Sequence, residues 1–128
     1  MDGNGRVMIG IGIDIQSIDE FAASPNLREA GLCFTESERA HGESARAGAM
    51  ASLAGIFAAK EALFKALPKR PLCYWDDLEV CHDSSGRPMF RFYGAMAQWM
   101  ESVGWRAMPS ISHSGTYVTA VAVVEQDK

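Results

Sequence analysis

Apolar and small or polar positions alternate from Val7 to Ile15, V-M-I-G-I-G-I-D-I. Period two with β-branched residues predicts a strand. Gly10, Gly12 and Asp14 share one face of it, and glycines inside a strand point to close approach of another backbone or a ligand there. The pattern then changes period. Ile15 to Ala23 reads as a short helix ended by Ser24-Pro25, with Ile15, Ile18 and Phe21 or Ala22 inward and Asp19 and Glu20 outward. Phe34 to Glu38 opens a second helix, with Thr35 as N-cap and Glu38 as its capping-box partner. A long helix covers Ala45 to Leu67, irregular near Gly48. Met50, Leu53, Phe57, Phe64 and Leu67 give it an apolar stripe at spacings of three, four and seven. Pro68 stops it.

Trp75 to Cys81 and Pro88 to Phe92 read as a hairpin with Gly86-Arg87-Pro88 at its tip. Ala95 to Val103 is an amphipathic helix with Met96, Trp99 and Met100 inward. Trp105 to Ser112 and Tyr117 to Glu125 are two more strands around His113-Ser114-Gly115. The last strand is nearly continuously apolar, which predicts a central position. Strand, helices, hairpin, helix, hairpin is the order of an α+β fold, a small, mostly antiparallel sheet packed against one long and several short helices. No repeat or linker divides residues 1–128, so one domain is expected.

Composition narrows the function classes. The chain is 48% hydrophobic and 22% charged, with a formal net charge of −4. Nucleic acid and anionic membrane favour clustered positive charge and are poor partners for it. No apolar run reaches membrane-spanning length, and Met1 to Arg6 is short and polar, without a signal-peptide core. Cys33, Cys73 and Cys81 form no C-x-x-C. They read as buried thiols of a reducing, cytoplasmic compartment.

Charges interrupt the long helix. Lys60 and Glu61 fall within its apolar arc, and Lys65 lies one turn beyond Glu61. Ionised groups there are expensive unless paired or bound to something. One reading is a Glu61–Lys65 ion pair at i,i+4. The other is a carboxylate and two ammonium groups that hold a metal and a polyanion. Asp14 is open in the same way, as a cap for the segment after it or as a metal ligand beside a bare face. Zinc is disfavoured, because Cys81 and His82 are strand neighbours that point to opposite faces. A Ser112–His113 nucleophile lacks a G-x-S-x-G elbow and an orienting acid. Asp14 with Glu61 fits Mg²⁺ better, since that ion keeps waters and needs few carboxylates when a pyrophosphate completes the shell. Lys60 and Lys65 would then meet phosphate oxygens. The outline is that of a phosphoryl-type transfer site.

G-I-G-I-D at 10–14 and F-A-A-K-E-A-L-F-K at 57–65 resemble the G-x-G-x-D and F-x-x-K-E-A-x-x-K motifs of the holo-acyl-carrier-protein synthases, the AcpS-type 4′-phosphopantetheinyl transferases. F-T-E-S-E at 34–38, D-L-E-V at 77–80, G-R-P at 86–88 and S-I-S-H at 110–113 follow in the family's order. The resemblance implies that phosphopantetheine passes from coenzyme A to a serine hydroxyl of an apo acyl carrier protein, in fatty-acid or polyketide synthesis, releasing adenosine 3′,5′-bisphosphate. It implies Mg²⁺ on Asp14 and Glu61, with Lys65 neutralising the leaving phosphate. Glu61 or a metal-bound water would take the serine proton. Gly86, Arg87 and Pro88 would line the nucleotide site, and His113 would reach its phosphates. It also implies a homotrimer with sites between subunits.

Two departures stand out. The helix after G-x-G-x-D is usually basic in the family, to meet an acidic carrier, and here shows Asp19 and Glu20. Ile56 stands where the family often has an arginine, one that would grip the 3′-phosphate, with Arg46 a possible substitute. The competing expectations are a coenzyme A-binding module without transfer and a metal-dependent pyrophosphate hydrolase.

Overall fold

The computed structural model describes residues 5–24, 33–45, 48–69 and 71–127. In chain order it forms strand β1 (Arg6–Ser17), helix α1 (Ile18–Ala22), helix α2 (Glu36–Glu43) and helix α3 (Ala49–Ala66). A 3₁₀ turn (Trp75–Asp77), strands β2 (Leu78–His82) and β3 (Pro88–Phe92), helix α4 (Gly94–Val103) and strands β4 (Trp105–Ser114) and β5 (Tyr117–Asp127) complete it. β1, β5 and β4 make one antiparallel sheet with β5 in the middle, and β2 and β3 make a separate hairpin. The architecture is α+β, and the apolar last strand is central as its sequence predicts.

α3 is the axis of the molecule. It packs against β1, β5, β4, α2, β2 and α1. Leu53, Ala54, Ile56, Phe57, Ala58, Ala59, Ala62, Leu63 and Ala66 are all buried along it. The single stripe expected from spacing is therefore too narrow, because both sides of the helix are covered. On the sheet side, Val118, Ala120, Ala122 and Val124 of β5 form the floor of the core.

β1 presents its glycine face to α3. Gly10 pairs with Val124, Gly12 with Ala122 and Asp14 with Ala120, so all three share the buried face of the sheet. A Cβ at Gly10 would overlap the Ala66 carbonyl oxygen, and one at Gly12 that of Ala62. Backbone meets backbone here, the first of the two close approaches, by backbone or by ligand, that glycines within a strand predict. The isoleucines face the other way, with Ile11 65%, Ile13 62% and Ile15 65% exposed.

Three expectations of local structure are corrected. β1 runs through Ile15 to Ser17, because β5 is long enough to pair it as far as Tyr117. Helix α1 is consequently short, and its cap is Ser17, whose hydroxyl accepts from the Glu20 amide at 3.2 Å, not Asp14. Trp75 to Asp77 is a 3₁₀ turn and not strand, since the Asp77 carboxylate accepts from the Tyr74 amide at 3.2 Å; short acidic side chains favour such local bonds over a ladder. α3 begins at Ala49, where Gly48 at φ +94° closes off any continuous helix from Ala45. The Thr35–Glu38 capping box forms as its sequence predicts.

Candidate active site

The glycine contact sets where Asp14 falls. Two residues along a strand advance about 6.6 Å and one helical turn about 5.4 Å. Gly10 against Ala66 and Gly12 against Ala62 thus bring Asp14 alongside the next turn of α3 back, the turn that carries Glu61 at its end. Lys65 closes the corner. Its ammonium donates to Asp14 Oδ1 at 2.9 Å and to the Ile13 carbonyl at 3.1 Å. Gln16 Nε2 donates to Asp14 Oδ2 at 2.6 Å, and the Thr119 hydroxyl bonds the Asp14 carbonyl at 2.9 Å. The Asp14 side chain is only 10% exposed, whereas that of Lys65 is 52% exposed. A well-held carboxylate therefore sits beneath a cation that is free to turn outward. Glu61, half-buried, lies one helical turn before Lys65 on α3.

The donor set is hard oxygen, which suits Mg²⁺. Among the described residues no three histidine, cysteine, aspartate or glutamate side chains converge as a metal cluster. Two carboxylates would be the protein's share, and water and ligand oxygens the remainder.

Lys60 is a correction to the expected set. It is wholly buried and cannot reach a phosphate from solvent. Its ammonium donates to Glu38 Oε1 at 2.8 Å, to the Cys33 carbonyl at 2.7 Å and to the Trp75 carbonyl at 3.3 Å. Burial pulls this lysine below the ordinary range, and the Glu38 carboxylate opposes that pull. Glu38 also accepts from the Thr35 and Val80 amides, and Thr35 in turn donates to Glu79. Lys60 is thus the centre of a polar staple that fixes α2 and β2 against α3. Burial also pushes the Cys33 thiol up, so it is an inert neighbour.

A cavity of about 430 Å³ has walls that include His41, Ser52, Ile56, His82, Gly86, Pro88 and His113. Gly86, Pro88 and His113, singled out in the sequence, meet here. Gly86 adopts φ +87° at the hairpin tip, where Asp83 Oδ1 accepts from the Ser85 hydroxyl and from the Ser85 and Arg87 amides. The Ser85 hydroxyl is the main reason the Asp83 carboxyl is held below its usual range. Arg87 lines the outer side of the same tip, a separate recess with Phe90 and Pro109. Ile56 lies in the wall of the main cavity, and Arg46 is outside the described residues.

Sequence reasoning missed Gln16, His41 and His82 at these sites. Gln16 carries a signal in hindsight, two residues beyond Asp14 and so on its face of β1. His41 and His82 carry none, because they meet only through the fold.

Residues 10–122 match the model of the 4′-phosphopantetheinyl transferase superfamily. The chain is 42% identical over 124 residues to a holo-[acyl-carrier-protein] synthase of Streptomyces avermitilis, covering 92% of this chain and 98% of that one. Among solved structures, the acyl carrier protein synthase of Mycobacterium tuberculosis superposes with a TM-score of 0.74 at 34% identity, covering 92% and 97% of the two chains. A Chronobacterium ammoniagenes ACPS–CoA complex superposes with a TM-score of 0.78 at 33% identity, covering 95% and 99%.

Proposed function

The chain belongs to the 4′-phosphopantetheinyl transferase superfamily, a family of enzymes, and from that premise we propose that it moves phosphopantetheine from coenzyme A to a serine of an apo acyl carrier protein. The observation that carries this reading is the corner where Lys65 of α3 bonds Asp14 of β1 beside the turn of Glu61. The serine oxygen forms a bond to the β-phosphorus, the bridging P–O bond breaks, and adenosine 3′,5′-bisphosphate leaves with the electron pair. Asp14 and Glu61 would hold Mg²⁺, which supplies charge neutralisation of the pyrophosphate. Lys65, already exposed by half, turns from Asp14 to the leaving phosphate. Glu61 accepts the serine proton. Gly86, Pro88 and His113 bind the nucleotide, with Arg87 at the rim of the tip. His113 also lines a second cavity of about 490 Å³ with Ile18, Asp19 and Met50, on the side toward α1. That side is where the carrier docks. The exposed Asp19 and Glu20 make a less acidic or dedicated carrier the better substrate.

The oligomer is a homotrimer, closed through the outer face of the sheet. The exposed Ile11, Ile13, Ile15 and Met108 make that face apolar, the kind of patch that marks an interface. The compartment is the cytoplasm, in keeping with three free cysteines. No helix among the described residues is long and apolar enough to cross a membrane.

The test is release of adenosine 3′,5′-bisphosphate, followed by chromatography. Release that requires both an apo-carrier and Mg²⁺, and is lost in Asp14→Asn, supports the transferase. Release at the same rate without any carrier would replace it with a pyrophosphate hydrolase.

A further inference from the structure

The chain has three histidines, and all three line the cavity between α2, α3, the β2–β3 tip and β4. His41 and His82 stack face to face, with ring centroids 3.9 Å apart and planes 8° from parallel. Across from them, His113 Nε2 lies 3.2 Å from the Ala51 carbonyl. A carbonyl only accepts, so Nε2 is the donor and Nδ1 is the nitrogen left over. No lysine or arginine lines this cavity among the described residues, and Ile56 occupies its wall. Among the described residues, the side chains here that could carry positive charge toward an anion are the imidazoles, with the hydroxyls of Ser44 and Ser52 as neutral donors beside them.

We propose that the stacked His41–His82 pair, with His113 opposite, receives the 3′-phosphate of coenzyme A and takes up a proton from solvent as it does so. The inference rests on the transferase reading and adds a specificity element to its nucleotide site. Two imidazolium rings so close together repel, so the free pair cannot hold two protons cheaply; a phosphate dianion between cavity and solvent removes that repulsion. Burial, and then His41, hold His82 below the ordinary histidine range in the free protein, with Asp83 opposing. The groups that face the pair are few. From the hairpin tip comes Asp83, whose Oδ1 is already engaged by Ser85 and the Arg87 amide. On α2, Glu38 is fully buried and committed to Lys60; on β4, His113 lines the same cavity. Arginine, at position 46 or elsewhere, is a fixed charge and brings no proton. Proton uptake therefore separates a histidine site from an arginine site.

The experiment is titration calorimetry of the full chain at pH 7.5 with Mg²⁺, in buffers of different ionisation enthalpy. The probes are coenzyme A and 3′-dephospho-coenzyme A. A phosphate monoester is already a dianion there, its second pKa being about 6. Coenzyme A should take up close to one proton more than the dephospho form, and its Kd should rise up to about tenfold per pH unit between pH 7.5 and 8.5, the limit of one-proton linkage. His82→Gln should abolish the extra proton. The wild-type proton count decides even where a variant folds poorly. Coenzyme A that binds with no extra proton overturns this inference and leaves the transferase standing. Failure of both probes to bind overturns the transferase reading itself.

Discussion

Lys60 and Lys65 share one helix, yet one is wholly buried and the other half exposed. Lys60 holds a buried pair with Glu38, so removing one partner strands a charge. Lys60→Met should cost about 3–5 kcal/mol in denaturant unfolding. Combined with Glu38→Gln, the loss should fall short of additivity by about 1–3 kcal/mol; simple addition of the two single losses would contradict the pairing. Lys65→Ala should do the opposite. Its bond to Asp14 is too exposed to contribute more than about 1 kcal/mol, whereas turnover should drop by about 10²–10³-fold, the usual cost of losing a group aimed at developing charge. Equal losses of turnover in Lys65→Ala and a conservative surface variant such as Lys69→Ala would remove Lys65 from the chemistry. The sequence places Lys60 on the apolar arc, which is correct. It cannot say what Lys60 binds there, because the partners come from Cys33, Glu38 and Trp75, none on its own helix.

The crossing of β1 on α3 is the element on which the site depends. Gly10 and Gly12 give the contact, and Asp14 inherits its position from them. Gly12→Ala would push the Ala62 backbone away, an overpacking that should cost about 1–3 kcal/mol. It should also lower activity beyond any loss of folded protein, since the shift separates Asp14 from α3. Specific activity per folded molecule, normalised by the unfolding curve, checks this; an unchanged value would mean that the crossing does not position Asp14. This contact was legible in the strand pattern, as two glycines on one face with the aspartate. The ends of β1 and α3 were not. Ile15 to Ser17 carries helix-like spacing and is drawn into strand by β5, a partner over a hundred residues away in the chain. Trp75 packs on Phe57 with ring centroids 5.4 Å apart, and its position in a 3₁₀ turn follows from that packing and the Asp77 bond, not from β propensity.

At the scale of the whole molecule, the outer face of the sheet and the histidine cavity each carry a prediction. Ile13→Arg should shift the solution mass from trimer to monomer by light scattering, with the fold retained by circular dichroism; a trimer that persists would place the interface elsewhere. His82 titrates below the unfolded value of 6.5. Below about pH 6.5 the unfolded chain then binds more protons than the folded one, so stability is fullest above that pH and falls as pH drops toward the folded value. The drop in melting temperature between pH 7.5 and 5.5 should be smaller in His82→Gln than in wild type, and an identical drop would dismiss the histidine as its source. The G-I-G-I-D and K-E-A-L-F-K motifs made the family legible from sequence alone, because each is local. The histidine stack was not, since His41 on α2 and His82 on β2 are far apart in the chain and meet only in the fold. The most direct test of the account is intact-mass spectrometry of a panel of apo-carriers incubated with this protein, coenzyme A and Mg²⁺, beside a Glu61→Ala control. The account predicts a gain of one phosphopantetheinyl group on at least one carrier, greater on less acidic ones and absent from the control. Coenzyme A binding with no mass gain on any carrier would contradict it and leave a binding module in its place.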